Sequence, residues 1–245
     1  MNLFPLVILL VSQPSVDDLL QHLDELYRSE DSHSMMTMEV VTQHWERTLE
    51  MEAWSSGEDK TFILVHSPAR EAGSATLRIG TEMWNYSPAT NSTVRIPPSM
   101  MTGSWMGSHL TNNDIVKEIT YSEDYTGEYL DTPSSGEAED GMLYLALYPE
   151  PSTAVVWSRI ECAVNRETLL PQWERYYDAR DRLIKTITFS EVREMGGRTI
   201  PSVMRIQPGD EEEGSTTVTW EEAIFDAGVS EDVFSLANLQ SGGGM

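Results

Sequence analysis

The sequence predicts a mainly β protein, built on a single curved antiparallel sheet with helices on its concave face. First, residues 15–28 have apolar side chains at helical spacing. Second, about a dozen later segments alternate apolar and polar residues, and no helix between them is long enough to connect parallel strands. Third, a sheet of ten or more strands must curl, and curling gives it a concave face that helices can cover.

The N-terminal helix is predicted from SVDDLLQHLDELYR, residues 15–28. Ser15 can cap its first turn, and Asp18 stands three positions later, as in a capping box. The apolar residues recur on one face, and they are Val16, Leu19, Leu20, Leu23, Leu26 and Tyr27. We therefore expect one face of this helix to pack on the sheet.

The predicted strands come in two groups, because alternation stops near residue 96 and resumes near residue 141. The first group has strands around Met36, Met38 and Val40 and around Leu49, Met51 and Ala53, and then at 61–66, 74–79, 82–87 and 93–96. The second group lies at 141–149, 153–164, 170–179, 183–195, 198–208 and 215–225. A short terminal helix is predicted over residues 230–236, with Ser230 as its cap.

The segment between the two groups reads RIPPSMMTGSWMGSHLTNNDIVK, residues 95–117. It contains too many helix breakers for a core helix and is too apolar for an ordinary surface loop. We interpret it as a flap, in which Thr111 or Asn112 caps a short helix through Ile115 and Val116. The acidic, turn-rich residues 122–140 are predicted as a surface excursion.

The composition limits the possible partners. The 245 residues include 40 acidic and 16 basic side chains, which gives a formal net charge of -24. Phosphate backbones and anionic membrane surfaces would be repelled, so nucleic acid and flat membranes are poor partners, whereas a basic protein is a suitable one. Hydrophobic residues make up 40% of the chain, which is enough for a sizeable core.

The first 14 residues suggest export. Leu3 to Val11 is an apolar run too short to span a bilayer, and it resembles the central region of a secretory signal. The pattern is incomplete, since no Lys or Arg precedes the run and no Ala-x-Ala site follows it; the alternative is a buried first strand. We expect residues 1–14 to be a signal peptide, 15–240 a single domain and 241–245 a flexible tail, in a soluble periplasmic protein.

The sequence offers little support for an enzyme. Motifs for hydrolases, zinc proteases, phosphate loops and dinucleotide binding do not occur in it. The single cysteine, Cys162, excludes an internal disulfide and is predicted to be a buried thiol in a strand. The five histidines are scattered, and pairing His109 with Asp114 as acid and base has no further support. Glu221 and Glu222 are adjacent, so they point to opposite faces of a strand. We predict no catalytic residues, no metal site and no cofactor.

Residues 59–117 carry a long set of motifs. These are Gly73-Ser74-Ala75-Thr76-Leu77, Met83-Trp84-Asn85-Tyr86-Ser87-Pro88, Arg95 to Met101, Trp105 to Ser108 and Thr111 to Ile115. The segment resembles the LolA-like family of outer-membrane lipoprotein-sorting proteins, although His109 replaces the usual Asp and Ile115 the usual Leu. The resemblance extends over most of residues 16–238. It implies a half-open barrel whose helices form a lid, and a role in periplasmic carriage of lipid or acylated protein.

The resemblance also implies partners. A carrier of this kind would receive its cargo from an inner-membrane transporter and pass it to an outer-membrane acceptor, and we expect it to be a monomer. The alternative is a non-catalytic sensor or accessory module of an envelope transport system, which binds a lipid or a protein without handing it on.

A cavity for acyl chains needs apolar side chains on one sheet face, adaptable residues and a movable cover. The predicted cavity and flap residues are Met36, Met38, Val40, Leu49, Met51, Leu64, Leu77, Trp84, Met100, Met101, Trp105 and Met106. The predicted hinge and latch residues of the flap are Arg95, Pro97, Gly103, Gly107 and Asp114. Two alternatives stay open: the strand methionines are ordinary core, and Arg95 and Asp114 each face water instead of pairing.

Overall fold

The structure is a computed structural model that describes residues 13–116, 120–151, 153, 155–210 and 214–242. In these parts of the chain it has one antiparallel sheet of 13 strands, which confirms the predicted fold class. The strands are β1 Asp31–Val41, β2 Glu46–Ser56, β3 Lys60–Ser67, β4 Ala75–Ile79, β5 Glu82–Ser87, β6 Ser92–Arg95, β7 Tyr125–Leu130, β8 Met142–Pro149, β9 Arg159–Asn165, β10 Pro171–Tyr177, β11 Leu183–Met195, β12 Arg198–Pro208 and β13 Ser215–Phe225. The predicted signal peptide lies outside the described residues, apart from its last two positions.

The helices are short in comparison with the sheet. They are α1 Val16–Glu25, α2 Asn112–Val116, α3 Tyr121–Asp124 and α4 Leu236–Gln240, with 3-10 turns at Pro98–Met100 and Glu231–Val233. The Ser15 hydroxyl caps α1 by accepting a hydrogen bond from the Asp18 amide at 3.1 Å, as the sequence predicts. At its other end, Arg198 donates to the carbonyl oxygens of Glu25, Leu26 and Arg28 at 3.0, 3.3 and 2.6 Å. The last carbonyls of α1 are thus bonded to β12.

The strand order explains why a flap must exist. The sheet runs β6-β5-β4-β3-β2-β1-β13-β12-β11-β10-β9-β8-β7, so the two groups of strands meet where β1 pairs with β13. The edge strands β6 and β7 are therefore consecutive along the chain although they lie at opposite edges. The connection between them has to pass across a face of the sheet, and the predicted flap is the larger part of this connection.

Alternation along the strands separates two cores. Met36, Met38 and Val40 on β1 pair with Trp220, Val218 and Thr216 on β13, and all six point to the concave face. Side chains of this face from both halves of the sheet form the main core, together with Leu19, Leu20 and Leu23 of α1. On the convex face a smaller core joins strands β3 and β4 to the C-terminal segment, and it contains Phe62, Leu64, Ala75, Leu77, Phe234 and Leu239.

Three local predictions were wrong. The acidic region 122–140 was expected to be a surface excursion, but it contains α3 and the edge strand β7. Gly127 makes this possible, because a Cβ atom there would lie 2.8 Å from Val16 Cγ1, where α1 packs on β7. The strand expected at 153–164 begins only at Arg159. The terminal helix is split, since Ser230 caps a 3-10 turn and Ser235 caps α4.

Candidate functional site

The flap crosses the concave face from the β6 edge of the sheet as far as β11, and each part of it contacts a different strand. The Ile96 amide donates to the Met83 carbonyl on β5 at 2.8 Å. The Trp105 indole reaches Thr76 on β4, and the His109 amide donates to the Thr216 hydroxyl on β13 at 2.9 Å. Asp114, on α2, reaches Lys185 on β11. The flap is thus bonded to the sheet at successive points.

Trp105 is the buried centre of the flap. Its side chain is 2% exposed, and its Nε1 atom donates to the Thr76 hydroxyl at 3.1 Å. The same hydroxyl donates to Asn85 Oδ1 at 2.8 Å. The flap backbone closes around this residue, because the Trp105 amide donates to the Leu110 carbonyl at 2.8 Å. The indole therefore holds the flap on the sheet through apolar burial and a buried hydrogen bond together.

The backbone turns sharply after Trp105. Met106 and Gly107 both have positive φ, at 50° and 71°, a conformation that methionine adopts rarely. Arg47 on β2 donates to the Met106 carbonyl and also binds both carboxylate oxygens of Glu71, at 3.2 and 3.0 Å. The guanidinium group thereby holds the turn against the sheet.

The helix α2 begins with a reciprocal cap, and Thr111 is the one of the two predicted caps, Thr111 and Asn112, that forms it. The Thr111 hydroxyl accepts from the Asp114 amide at 3.1 Å, and Asp114 Oδ2 accepts from the Thr111 amide at 2.7 Å. The other carboxylate oxygen, Oδ1, lies 3.0 Å from Lys185 Nζ, and each of these two side chains is 13% exposed. This ion pair fastens the end of the flap to β11.

Two cavities adjoin on the concave face beside the flap. Cavity 1 has a volume of about 390 Å³ and lies between residues 102–114 of the flap, residues 155–157 and the ends of β11 and β12. Its apolar lining consists of Leu110, Val155, Val156, Trp157, Ile184, Ile206 and Pro208. It is bounded on the flap side by hydroxyl and amide groups, including those of Ser104, Ser108 and Asn113.

Cavity 2 has a volume of about 400 Å³ and lies between the end of α1, α3 and strands β10 to β13. Its apolar and aromatic lining includes Leu23, Tyr27, Ile187, Phe189, Ile200, Met204, Trp220, Ala223 and Phe225. Leu110, Asp114 and Lys185 line both cavities, so these three residues form the boundary between them. Both volumes are within the usual range for small-molecule sites.

A buried carboxylate lies in the wall of cavity 2. Glu174 on β10 is 3% exposed, and it accepts hydrogen bonds from the hydroxyls of Tyr121 and Tyr176, each at 2.6 Å. Burial raises the pKa of Glu174 above its usual range, while the two tyrosine hydroxyls and Lys185 oppose part of that rise. Burial also raises the pKa of the Cys162 thiol, which pairs across the strands with Glu174. Cys162 is a buried free thiol, as predicted.

The predicted site residues are distributed over three places. Met36, Met38, Val40, Leu49, Met51, Met101, Trp105 and Met106 belong to or pack on the concave core. Leu64, Leu77 and Trp84 belong to the convex core under the C-terminal segment. The Met100 side chain is 57% exposed. As far as the structure describes the lining of the two cavities, Asp114 is the predicted residue found there, and whether the others contact a ligand stays a prediction.

The predicted hinge and latch residues also lie at different places and have different partners. Arg95 pairs with Glu82 and Asp114 pairs with Lys185, so they do not pair with each other in this structure. Gly107 has a positive φ and Pro97 begins the 3-10 turn as its cap. At Gly103 a Cβ atom would lie 3.1 Å from the Met100 carbonyl oxygen. The residues at these positions shape the flap locally.

Sequence reasoning missed the residues of the late strands. Lys185, Ile187 and Phe189 alternate on one face of β11, and this face lines the cavities. A lysine within an apolar alternation was the available signal, because a buried lysine needs a partner. Trp157 and Tyr176, whose rings lie 5.2 and 4.7 Å from Lys185 Nζ, became recognisable as its neighbours only in the structure.

No group of three or more histidine, cysteine, aspartate or glutamate side chains among the described residues is placed to hold a metal ion. Within the same ranges no helix has the length and apolar character needed to cross a membrane.

The comparisons with known proteins agree with this architecture. A family model described as an uncharacterized protein matches residues 57–241. No curated protein matches the chain. A DUF1329 family protein from Desulfovibrio piger is 28% identical, with a TM-score of 0.78 over 91% of this chain and 97% of that one.

Two further solved structures are similar in fold. A putative outer membrane lipoprotein-sorting protein domain from Vibrio parahaemolyticus is 20% identical, with a TM-score of 0.75 over 91% of this chain and 97% of that one. A LolA superfamily protein from Nitrosomonas europaea is 17% identical, with a TM-score of 0.71 over 90% and 97% of the two chains. The chain therefore belongs to the family whose model matches residues 57–241, and its fold is that of the LolA superfamily and of outer membrane lipoprotein-sorting domains.

Proposed function

We propose that this chain is a periplasmic carrier, which encloses the acyl chains of a lipid or an acylated protein in cavities 1 and 2 and hands them to an acceptor. The observation that carries the proposal is the pair of adjoining, mainly apolar cavities on the concave face. Burying an acyl chain stabilises a complex by about 0.8 kcal/mol per methylene, so partial enclosure is enough for binding.

The fold supports a carrier-type role. One neighbour is named as a putative outer membrane lipoprotein-sorting protein domain, and cargo of that kind is acylated. In our proposal residues 1–14 direct export, residues 15–240 form the carrier domain, and an inner-membrane transporter and an outer-membrane acceptor are the partners. The formal net charge of -24 suits basic docking surfaces on those partners. The carrier needs no catalytic group.

In the proposal the flap provides the route by which the ligand enters and leaves the two cavities. Apart from the buried Trp105 indole, it is fastened to the sheet by single polar contacts, such as those of Arg47 with Met106 and of Lys185 with Asp114. Contacts of this kind break one at a time, whereas a paired strand separates cooperatively. Opening of the flap from the β11 side would widen the access to both cavities without disturbing the strand ladders.

The first test is native mass spectrometry of the purified chain, followed by extraction and identification of bound lipid. Ala223→Phe is the test variant, because a phenyl ring at this position fills space in cavity 2. Ile224→Phe is the matched control, since the neighbouring residue lies on the opposite face of β13 and is 50% exposed. We expect a stoichiometric acyl-bearing ligand on the parent and on Ile224→Phe, and its loss from Ala223→Phe.

A parent chain that stays empty with added diacyl lipid and acylated peptide would refute the proposal. Transfer distinguishes a carrier from the alternative of a sensor or accessory module. Mixing the loaded chain with acceptor vesicles should move the ligand to the vesicles; a chain that binds the ligand but never releases it would be a sensor.

A further inference from the structure

The boundary between the two cavities contains a half-buried ion pair. Lys185 on β11 and Asp114 on α2 line both cavities, and Lys185 Nζ lies 3.0 Å from Asp114 Oδ1. Each side chain is 13% exposed, so the pair is largely shielded from water. A charge in such a place interacts strongly with whatever enters either cavity.

The surroundings of Lys185 are aromatic and apolar. Its ammonium group lies over the rings of Trp157 and Tyr176, at 5.2 and 4.7 Å from their centroids. Among the described lining residues the other cation is Arg28, which is bonded to Glu58 and to the Thr120 hydroxyl at 2.9 and 3.2 Å. Lys185 is thus the positive charge at the point where the cavities meet.

Asp114 uses its two carboxylate oxygens for different purposes. Oδ2 accepts from the amide and the hydroxyl of Thr111, at 2.7 and 2.9 Å, and so caps α2. Oδ1 accepts from Lys185. Another anion can therefore replace Oδ1 at the ammonium group while the cap of α2 stays intact.

The remaining carboxylates of cavity 2 are held by other donors. Asp24 accepts from the Tyr121 and Ser122 amides and from the Ser122 hydroxyl. Glu174 accepts from two tyrosine hydroxyls, and burial, which raises its pKa, favours its neutral form. These groups compete for Lys185 less directly than Asp114 does.

We propose that Lys185 binds the anionic head group of a two-chain lipid, whose phosphate replaces Asp114 as the partner while one acyl chain enters each cavity. The volumes of about 390 and 400 Å³ are nearly equal, and a diacyl lipid has two similar chains that join at one polar group. The apolar cavities match the chains and the single cation between them matches the phosphate. This inference rests on the proposed function and specifies its ligand.

The test compares dioleoyl phosphatidic acid with dioleoylglycerol, which has the same chains without the phosphate, by native mass spectrometry of equimolar mixtures. The parent chain should prefer the phosphatidic acid. Lys185→Gln should reduce that preference by at least about tenfold, because the phosphate loses its buried partner. Asp114→Asn should increase it, because this change leaves Lys185 as an uncompensated buried cation. Opposite effects from the two halves of one ion pair are not expected of a merely structural contact.

Two further ligands and a double variant complete the test. Lysophosphatidic acid, with one chain, should bind more than about tenfold more weakly than the two-chain lipid, because the second cavity stays unfilled. Inorganic phosphate alone should leave the thermal midpoint unchanged, and a Lys185-dependent rise would assign the site to a free anion and overturn the inference. If either single variant fails to fold, the neutral double variant Lys185→Gln/Asp114→Asn replaces it and should bind both lipids equally.

The outcomes separate this inference from the proposed function. Equal binding of the two lipids by the parent, or the same change in both single variants, would overturn the inference and leave the carrier proposal in place. Binding of neither lipid would count against the carrier proposal itself.

Discussion

Arg47 donates a hydrogen bond to the main-chain carbonyl oxygen of Met106, and this contact joins strand β2 to the left-handed turn of the flap. The arginine is itself oriented by Glu71. A positive φ at the non-glycine residue Met106 costs free energy, so the turn is stabilised by an external partner. The geometry indicates that Arg47 keeps the middle of the flap closed.

Arg47→Met should loosen the flap, because it keeps most of the side chain and removes the donor. Hydrogen bonds to charged groups contribute about 1.5–3 kcal/mol, so flap opening should become at least about tenfold more frequent. Hydrogen exchange of the amides of Trp105, Ser108 and Asn112, which bond within the flap, measures this opening. Arg95→Met is the control, since Arg95 bonds the exposed Glu82 and should leave these rates unchanged. Equal rates in all three proteins would contradict the role given to Arg47.

The contribution of the hydrogen bond between Trp105 and Thr76 to the free energy of unfolding can be measured separately. Thr76→Val is close in shape but leaves the buried Trp105 Nε1 without an acceptor, so we expect the free energy of unfolding to fall by about 1–3 kcal/mol. In Trp105→Phe the donor is absent, and the added Thr76→Val change should then cost less. Urea unfolding of the parent, both single variants and the double variant gives the coupling energy. Additive losses would show that the hydrogen bond contributes nothing.

The C-terminal segment should stabilise the convex face. Phe234 is 6% exposed and packs with Phe62, Leu64 and Leu77, so Phe234→Ala should lower the free energy of unfolding by about 3–5 kcal/mol. Leu236→Ala, two residues later, is the matched control; Leu236 is 43% exposed, and its loss should cost less than about 0.5 kcal/mol. Thermal or urea unfolding measures both. Similar losses in the two variants would mean that the segment does not form a specific core.

The fold was largely predictable from the sequence, because strand alternation is a local signal. Strands β11, β12 and β13 have the predicted bounds, since their alternation is long and uninterrupted. Strand β7 was missed because the acidic, turn-rich composition of residues 122–140 outweighed the inward alternation of Tyr125, Gly127 and Tyr129. Exposure at an edge strand removes the apolar pattern from one face, so composition alone suggested a loop there.

The candidate site was much less predictable, since it depends on which faces meet across the sheet. Leu64 and Leu77 alternate like Met38 and Met51, and nothing in a single strand shows that they point to the opposite face. That assignment follows from the register of the twelve strand pairings, beginning with β1 against β13. Lys185 was visible as a lysine within an apolar pattern, but its partner Asp114 lies 71 residues away.

The pKa of Glu174 leads to a pH prediction. Burial raises this pKa in the folded chain above its usual value of 4.5, so above pH 4.5 the folded state retains a proton that the unfolded state has released. The free energy of unfolding of the parent should therefore fall as the pH rises from 4.5 through the raised pKa. Glu174→Gln has no such proton, so its stability relative to the parent should increase across that window and then level off.

Tyr121→Phe provides the matched variant for this measurement. It removes a hydroxyl that stabilises the ionised carboxylate, so the pKa of Glu174 should rise further in this variant. The loss of stability with rising pH should therefore extend to higher pH in Tyr121→Phe than in the parent. In the Glu174→Gln background the same tyrosine change should leave the pH dependence unaltered, because the titrating group is gone. Urea unfolding at a series of pH values, from below pH 4.5 to neutrality, gives all four curves. If the curves of the parent and Glu174→Gln run parallel throughout, the buried carboxylate does not titrate as burial requires.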